Sequence, residues 1–307
     1  MTPDQHLTRK SAHARGITDE ELTARCRSGQ LTRLHRGLYV PASAHDSMSP
    51  AARHMVAARQ VLSDARAGAA LSHSSAALLH GLPVWGVPLD RVHLTADAAS
   101  GGKVSKHRAL HTSPLPPEHL TCVDGHLATT IARTVVDIAR TAGFEAAVVV
   151  GDAALRRGTS RDELRSVLAS MRRWKGLPVA RKVVDFLDGR SESVGESRSR
   201  VALDQFPLPP IEVQYPVRDE NGFLVARADF AVPSLRVLGE FDGRIKYGRA
   251  LNPGQPPEEV LWREKQREDK ARDLDWQFAR WIWRELSTPE FIYAKILRAA
   301  ERAGRRL

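Results

Sequence analysis

The stretch Ala228-Asp229-Phe230 is followed, after nine residues, by Glu240-Phe241-Asp242-Gly243. The acids belong to two apolar runs, 227–232 and 237–241, which predict adjacent strands of one sheet with a turn at Ser234. Acids at the ends of neighbouring strands converge on one place. Because like charges repel strongly at short range, such a cluster favours a cation among the carboxylates.

A set of carboxylate ligands predicts a hard divalent ion, Mg²⁺ or Mn²⁺, of the kind that serves phosphodiester hydrolysis. We expect Asp229 and Glu240 to hold the metal and Glu196, on the preceding helix, to complete the shell. Glu196 could instead pair with Arg200 one helical turn later.

Three further residues have predicted roles at the same site. Asp242 lies two residues beyond Glu240, so it faces the same side of its strand and is a second acid. Lys246 is the candidate that polarises the water or offsets the charge, with Lys265 as its competitor, and Gln214 could position the water. The alternative is that the acids are structural and pair with arginines such as Arg227 and Arg244.

The C-terminal region has the pattern of a compact α/β domain. A polar-to-apolar helix begins after Ser191, and two strands, 213–217 and 224–232, are joined at Asn221-Gly222. The strand 237–241, a charged helix, an apolar strand and a last helix follow. We place a domain boundary just before Ser191.

The bulk composition limits the class of protein. The chain has 307 residues, 42% of them hydrophobic, and a net charge of +10. Residues 1–190 hold 26 Lys and Arg against 17 Asp and Glu, whereas residues 191–307 hold 20 against 19. The basic first part predicts binding to a polyanion, unless the bias is merely compositional. Two distant cysteines and no long apolar run predict a cytoplasmic protein without membrane contact.

The N-terminal residues predict a winged helix-turn-helix. Helices are expected over 5–16 and 19–28, with Thr18 as an N-cap, followed by a hairpin over 31–40 with an Arg-Gly turn. The second helix would present Arg25 and Arg27 to the major groove. The hairpin would present Arg33, His35 and Arg36 to the backbone or minor groove. Protein-interaction modules share this pattern, so the pattern alone does not decide between DNA binding and protein binding.

The middle region predicts mixed α/β structure. We expect domains at 1–46 (winged helix), 47–190 (mixed α/β) and 191–307. The basic segment 101–108 could follow a nucleic-acid backbone or be a solvated loop. Arg133 and Asp137 are four residues apart on a predicted helix and are interpreted as a structural pair.

The C-terminal 110 or so residues resemble the PD-(D/E)XK nuclease superfamily, in the branch similar to very-short-patch-repair endonucleases. The resemblance lies in Glu196, Asp229, Glu240-Phe241-Asp242-Gly243 and the charged helix 264–269. It implies a restriction-endonuclease-like mixed sheet flanked by helices, Mg²⁺ dependence and DNA cleavage. Asp242 stands where the motif has Lys, and no His follows Gly243, although that branch often has one there.

The N-terminal 190 residues resemble AbiEi-type antitoxins of abortive-infection systems. The resemblance lies in the wing 36–40, in Leu78-Leu79-His80-Gly81-Leu82-Pro83 and in 132–137. It implies DNA binding, repression of the protein's own operon, and a role in phage defence or a toxin–antitoxin pair with a cognate toxin. An operator-binding role would favour a homodimer.

Two hypotheses therefore stand. One is a divalent-metal-dependent DNA endonuclease delivered by a winged helix. The other is a DNA-binding repressor or antitoxin whose nuclease-like domain is an inert scaffold. The substrate and the DNA sequence recognised are not readable from the chain.

Overall fold

In the computed structural model, residues 6–98, 101–243 and 257–307 are described. They form an α/β protein, which is the class that the sequence predicts, and the structure shows three sheets in these residues. The helices are α1 (Arg9–Ala14), α2 (Asp19–Arg27), α3 (Ala42–Ser47), α4 (Pro50–Ser63), α5 (His73–Leu79), α6 (Ile131–Thr141), α7 (Phe144–Arg156), α8 (Arg161–Ser170), α9 (Leu177–Phe186), α10 (Val194–Leu203), α11 (Pro257–Asp273) and α12 (Pro289–Arg302).

The strands are short in the first half of the chain and longer in the second. They are β1 (Leu7–Thr8), β2 (Leu31–His35), β3 (Leu38–Pro41), β4 (Ala70–Leu71), β5 (Val92–Ala96), β6 (Lys103–Val104), β7 (Arg108–Thr112), β8 (Leu120–Val123), β9 (His126–Thr129), β10 (Glu212–Arg218), β11 (Leu224–Val232), β12 (Val237–Asp242) and β13 (Gln277–Ile282).

The contacts divide the chain into two compact units. One holds residues 1–150 and 158–185, and the other holds residues 151–157 and 186–307. The predicted three-domain division stays a prediction. Among the described residues, no helix combines the length and apolar character needed to cross a bilayer.

The first unit begins with a small three-stranded sheet of order β1-β3-β2. Leu22 of α2 packs in a core with Ala12 and Tyr39, and Leu38 and Val40 pack in a second core with Val56 of α4. The first helix is shorter than predicted, because residues 7–8 pair with β3 and Thr8 then caps α1. Burial of these side chains fixes the two helices against the hairpin.

A second sheet of the same unit has six strands in the order β6-β7-β5-β4-β9-β8. Strand β5 lies between β7, to which it is parallel, and β4, to which it is antiparallel. Helices α4 and α5 pack on this sheet through Ala58, Val61, Ala76 and Leu79. The basic segment 101–108 contains β6 at one edge of the sheet.

The second unit is built on a four-stranded sheet of order β10-β11-β12-β13. The first three strands are antiparallel, and β13 is parallel to β12. On one face Phe230, Phe241 and Trp281 pack with α10 and α12; on the other, Leu238 and Trp276 pack with Ala271 of α11. The order helix, three strands, helix, strand, helix is the order that the sequence predicts.

Candidate nucleic-acid interface and acidic site

The two helices of the winged helix are held together by one carboxylate. Asp19, the first residue of α2, accepts hydrogen bonds from Arg9 Nε at 2.8 Å and from the His13 ring at 3.0 Å, both on α1. Its bond with Arg9, and then that with His13, holds the pKa of Asp19 below its ordinary value. Thr18 accepts from the Glu21 amide and caps α2. The angle between α1 and α2 is therefore set by polar contacts as well as by the core.

The basic side chains predicted to touch DNA lie on exposed parts of this fold. Arg27 at the end of α2 is exposed, as are Arg33 and Arg36 on the hairpin. Arg25 is partly exposed and pairs with Glu21 one turn earlier. Because a surface ion pair contributes little stability, about 0–1 kcal/mol, Arg25 could exchange this partner for a phosphate or a base. The helix and the hairpin thus both present cations.

The turn between β2 and β3 depends on a glycine. Gly37 has a φ of +76°, a conformation that strains residues with a Cβ. Its carbonyl accepts from the Arg9 amide at 2.7 Å, which ties the turn to α1. The Arg36-Gly37 pair is therefore both the tip of the hairpin and a support for the first helix.

His35 differs from the other four predicted contacts. It is half-buried, and its ring lies edge-on to His107, with centroids 5.4 Å apart. Burial, the largest cause, lowers the pKa of His35 below its ordinary value. At neutral pH His35 is a neutral hydrogen-bonding group and adds no charge to the interface.

Both oxygens of Glu196 on α10 are already used as hydrogen-bond acceptors. Oε1 accepts from the Ser193 hydroxyl, and Oε2 accepts from the Glu192 amide and the Gln214 side chain, each at 2.8 Å. The alternative pairing with Arg200 does not occur, because Arg200 pairs with the buried Asp152 at 2.7 Å. Glu196 is 4% exposed, and its local role is that of a helix-start acceptor.

Asp229 lies where β11 and β12 separate. Its Oδ2 accepts from the Phe241 backbone amide at 2.9 Å. On the neighbouring strand β10, Gln214 has a φ of +55°, so the backbone is irregular at the level of Asp229. The Gln214 side chain is therefore paired with Glu196. The Asp229 carboxylate is bound by the backbone of Phe241, near the end of β12.

Glu240 is bound by two guanidinium groups. Its Oε1 accepts from Arg267 of α11 at 2.9 Å, and its Oε2 accepts from Arg280 of β13 at 2.8 Å. Arg227, one of the arginines proposed as a structural partner of the acids, pairs with Glu192 instead. Lys246 and Arg244 lie outside the described residues, Lys265 is exposed on α11, and Asp242 is half-exposed at the end of β12.

The described carboxylates do not fit a Mg²⁺ cage in this arrangement. Glu196 accepts from three N–H or O–H donors and Glu240 accepts from two guanidinium groups, so a metal would compete with these donors for the carboxylate lone pairs. Among the described residues, these acids do not form a group of three whose ligand atoms lie within 4.8 Å of one another. The assignment of Glu196, Asp229 and Glu240 as metal ligands stays a prediction.

Several partners were not foreseen from the sequence. The Arg267–Glu240–Arg280 arrangement joins Glu240 to residues 27 and 40 positions later in the chain, so no local spacing predicts it. Asp152, in the last turns of α7, receives Arg200 and the Asp188 amide, and burial raises its pKa above the ordinary value. Arg280 lies opposite Glu240 in the parallel register of β12 and β13, which only the structure shows.

Comparison with known proteins places the N-terminal part in a family context. Residues 4–42 match the sequence model of the family described as "Transcriptional regulator, AbiEi antitoxin". The uncharacterised proteins MT2308 and Rv2248 of Mycobacterium tuberculosis (strains CDC 1551 and H37Rv) are each 33% identical over 183 residues. These alignments cover 59% of this chain and 64% of each relative, so the chain spans just under two thirds of the relatives' length.

A match to a solved structure is also found. The crystal structure of the Rv2827c protein from Mycobacterium tuberculosis matches with a TM-score of 0.40 and 15% identity, over 70% of this chain and 84% of that chain. The sequence match covers residues 4–42, which include the helices and hairpin of the winged helix. Residues 4–42 are therefore similar to the AbiEi antitoxins, a family of transcriptional regulators.

Proposed function

We propose that the protein is a DNA-binding transcriptional regulator of the antitoxin type. The observation that carries this proposal is the agreement of two independent features over the same residues. The sequence of these residues matches an AbiEi regulator. The same residues fold as two helices joined by polar contacts and a hairpin with exposed arginines. The excess of positive charge before residue 190 supports a polyanionic partner.

The proposed interface uses α2 and the hairpin for different tasks. Arg25 and Arg27 near the end of α2 contact the major groove, where a guanidinium can bond to guanine or to phosphate. Arg33 and Arg36 on the hairpin contact the neighbouring backbone or minor groove, and His35 supports the hairpin from its half-buried position. A winged helix reads one half-site, so we expect a homodimer on a palindromic operator. We propose a cognate toxin partner because residues 4–42 match the AbiEi antitoxins.

The element order of the second unit supports a nuclease-derived origin for it. Helix α10, strands β10 to β12, helix α11 and strand β13 follow the plan expected of a restriction-endonuclease-like domain. We propose that this unit is a scaffold without cleavage activity, because the arginines and amides that bind Glu240 and Glu196 already stabilise these carboxylates and would compete with a metal for them. The alternative is an active Mg²⁺-dependent endonuclease, in which these contacts rearrange on binding metal.

The test of binding uses full-length protein and two fluorescent duplexes. One carries the sequence upstream of the protein's own reading frame, and the other has the same base composition in scrambled order. The proposal predicts at least about a thousandfold preference for the upstream duplex, which is the lower end of the usual range of specific over non-specific binding. Equal affinity for both duplexes would contradict operator recognition, and sedimentation of the complex would give the number of chains bound.

The test of cleavage uses supercoiled plasmid with Mg²⁺ or Mn²⁺. The scaffold proposal predicts that the wild type and Asp229→Ala leave the plasmid equally intact under conditions where the upstream duplex is bound. Nicking by the wild type that Asp229→Ala abolishes would establish the endonuclease instead. The DNA-binding proposal and the scaffold proposal can thus fail separately.

A further inference from the structure

Three histidines from separate segments of the first unit meet at one place. His73 begins α5, His93 lies on β5 and His111 lies on β7. The parallel register of β5 and β7 sets Thr95 opposite His111, which brings the rings of His93 and His111 to a centroid separation of 5.3 Å. The His73 ring stacks on His111 at 4.1 Å. One ring nitrogen from each of the three residues lies within 4.8 Å of the other two.

One buried ring nitrogen of the cluster has no hydrogen-bond partner among the described residues. His93 Nδ1 and His111 Nε2 are 3.0 Å apart, and His73 Nδ1 is 3.0 Å from the Ser72 hydroxyl. The other nitrogen of His73, Nε2, is fully buried and has no hydrogen-bond partner in the part of the chain that the structure describes. Buried polar atoms are rarely left in this state, so a simple cluster of hydrogen-bonded core histidines does not account for His73.

The distances are those of metal ligands as well as of hydrogen bonds. Two imidazole nitrogens bound to one tetrahedral Zn²⁺ at the usual bond length lie about 3.3 Å apart. The separation of His93 Nδ1 and His111 Nε2 is within a few tenths of an ångström of that value. A metal among the rings would replace their mutual hydrogen bond and would also satisfy His73 Nε2.

The type of ligand favours a transition metal. Imidazole suits zinc better than it suits Mg²⁺ or Ca²⁺, which prefer oxygen ligands.

A cavity adjoins the histidines. It has a volume of about 520 Å³, and His73 and His111 contribute to its lining, together with Arg133, Asp137 and Arg140. Asp137 is bonded to both arginines, and Lys103 and Lys175 also line the cavity, so its wall carries a net positive charge. That charge disfavours a bare cation and favours one that carries an anionic ligand.

We propose that His73, His93 and His111 bind one zinc ion through a ring nitrogen each, with the fourth position taken by hydroxide or a small anion from the cavity. Three protein ligands with an open fourth position are typical of zinc sites that bind and activate a small molecule, whereas structural sites close all four positions. This site belongs to the first unit, and the acids discussed above belong to the second. It does not depend on the proposed regulator function.

The experiment measures metal binding by full-length protein stripped with a chelator. Zinc is titrated in competition with a chromophoric chelator, and Co²⁺ is used as a spectroscopic substitute. We expect one zinc per chain with a dissociation constant below about 1 μM, and a visible Co²⁺ band typical of four-coordinate geometry. Zinc should also raise the melting temperature.

The variants are His73→Asn and His111→Gln, with His126→Gln as the control. Asn tolerates the positive φ of +49° at position 73, so His73→Asn removes a ligand with little backbone cost. His126 is a half-buried histidine on β9, outside the cluster. Both cluster variants should bind zinc at least a hundredfold more weakly than the wild type, and His126→Gln should bind it equally well.

Two results would overturn the proposal. One is wild-type protein that takes up no zinc at stoichiometric concentration. The other is a folded His73→Asn variant that binds zinc as the wild type does. If the variants do not fold, nitrogen NMR of the wild-type histidines decides: three imidazoles must shift on addition of one equivalent of zinc, and unchanged spectra would refute the site.

Discussion

Arg280 and Glu240 lie side by side on the parallel strands β13 and β12, and Arg280 Nε donates to Glu240 Oε2 at 2.8 Å. Arg267 from α11 binds the other oxygen of Glu240. The acid that most resembles a catalytic motif therefore joins a helix to two strands. Its present contacts are those of a structural residue.

Glu240→Gln should destabilise the protein. The change removes the charge that offsets two arginines, and loss of charge-assisted hydrogen bonds at a partly exposed site costs about 1–2 kcal/mol. Urea denaturation gives the change in free energy of unfolding. The matched control is Glu192→Gln, whose pair with Arg227 is half-exposed and should contribute less than about 0.5 kcal/mol. A Glu240→Gln protein as stable as the control would indicate that Glu240 is held for a ligand at a cost in stability.

Gly195→Ala should disrupt the packing of α10 on the sheet. A Cβ at position 195 would lie 2.0 Å from the Phe241 ring, which is part of the core. Relieving this overlap should lower the free energy of unfolding by about 1–3 kcal/mol. Gly143→Ala is the control, because nothing lies within 4 Å of its added Cβ and its φ is not positive. Thermal unfolding should separate the two, and equal melting temperatures would show that α10 moves freely on the sheet.

Asp137→Asn should be among the most destabilising changes in the first unit. Asp137 is fully buried and accepts from Arg133 at 2.8 Å and from Arg140 at 3.2 Å, which confirms the structural pair predicted from the spacing of 133 and 137. Removing one partner from a buried ion pair costs about 3–5 kcal/mol. Asp162→Asn, at an exposed pair, serves as the control. This account would be contradicted if denaturant unfolding showed the same small loss of free energy of unfolding for both variants.

The first unit should lose stability as the pH falls below the ordinary pKa of histidine. Burial lowers the pKa of His54, whose ring bonds to the Leu89 carbonyl at 3.0 Å and to the Ser75 hydroxyl at 2.8 Å. A histidine with a lowered folded-state pKa contributes stability that is complete above the unfolded pKa of about 6.5 and declines as the pH falls through it.

The measurement is urea unfolding at pH 7.5 and pH 5.5. Between these two pH values the wild type should lose more free energy of unfolding than His54→Gln does. The control His126→Gln, at a half-buried histidine, should lose as much as the wild type. A His54→Gln protein with an undiminished pH dependence would assign the effect to other groups.

The sequence predicts those parts of the fold that have local signals. The long strand β11, the Asn221-Gly222 turn and the helices α4 and α7 follow from apolar periodicity and turn residues, and the structure confirms them. The strands β4, β8 and β9 escaped prediction, because segments of two to four residues have too little periodicity and gain their pairing from distant chain.

The candidate sites also differ in how far the sequence predicts them. The exposed arginines of the winged helix follow from a local motif of 40 or so residues. The arginines on Glu240 and the contacts of His73 with His93 and His111 depend on register between strands that sequence spacing does not encode. Acids in a suggestive order were therefore predictable, but their partners were not.

The central claim is that the winged helix binds DNA through α2 and the hairpin. The direct measurement is fluorescence anisotropy of the upstream duplex with the wild type, Arg27→Ala, Arg36→Ala and the exposed C-terminal control Arg305→Ala, over a range of salt concentrations. The account predicts that Arg27→Ala and Arg36→Ala each weaken binding about tenfold, and that loss of a phosphate contact lowers the salt slope by about 1. Affinities and slopes unchanged in both variants, and equal to those of Arg305→Ala, would contradict it.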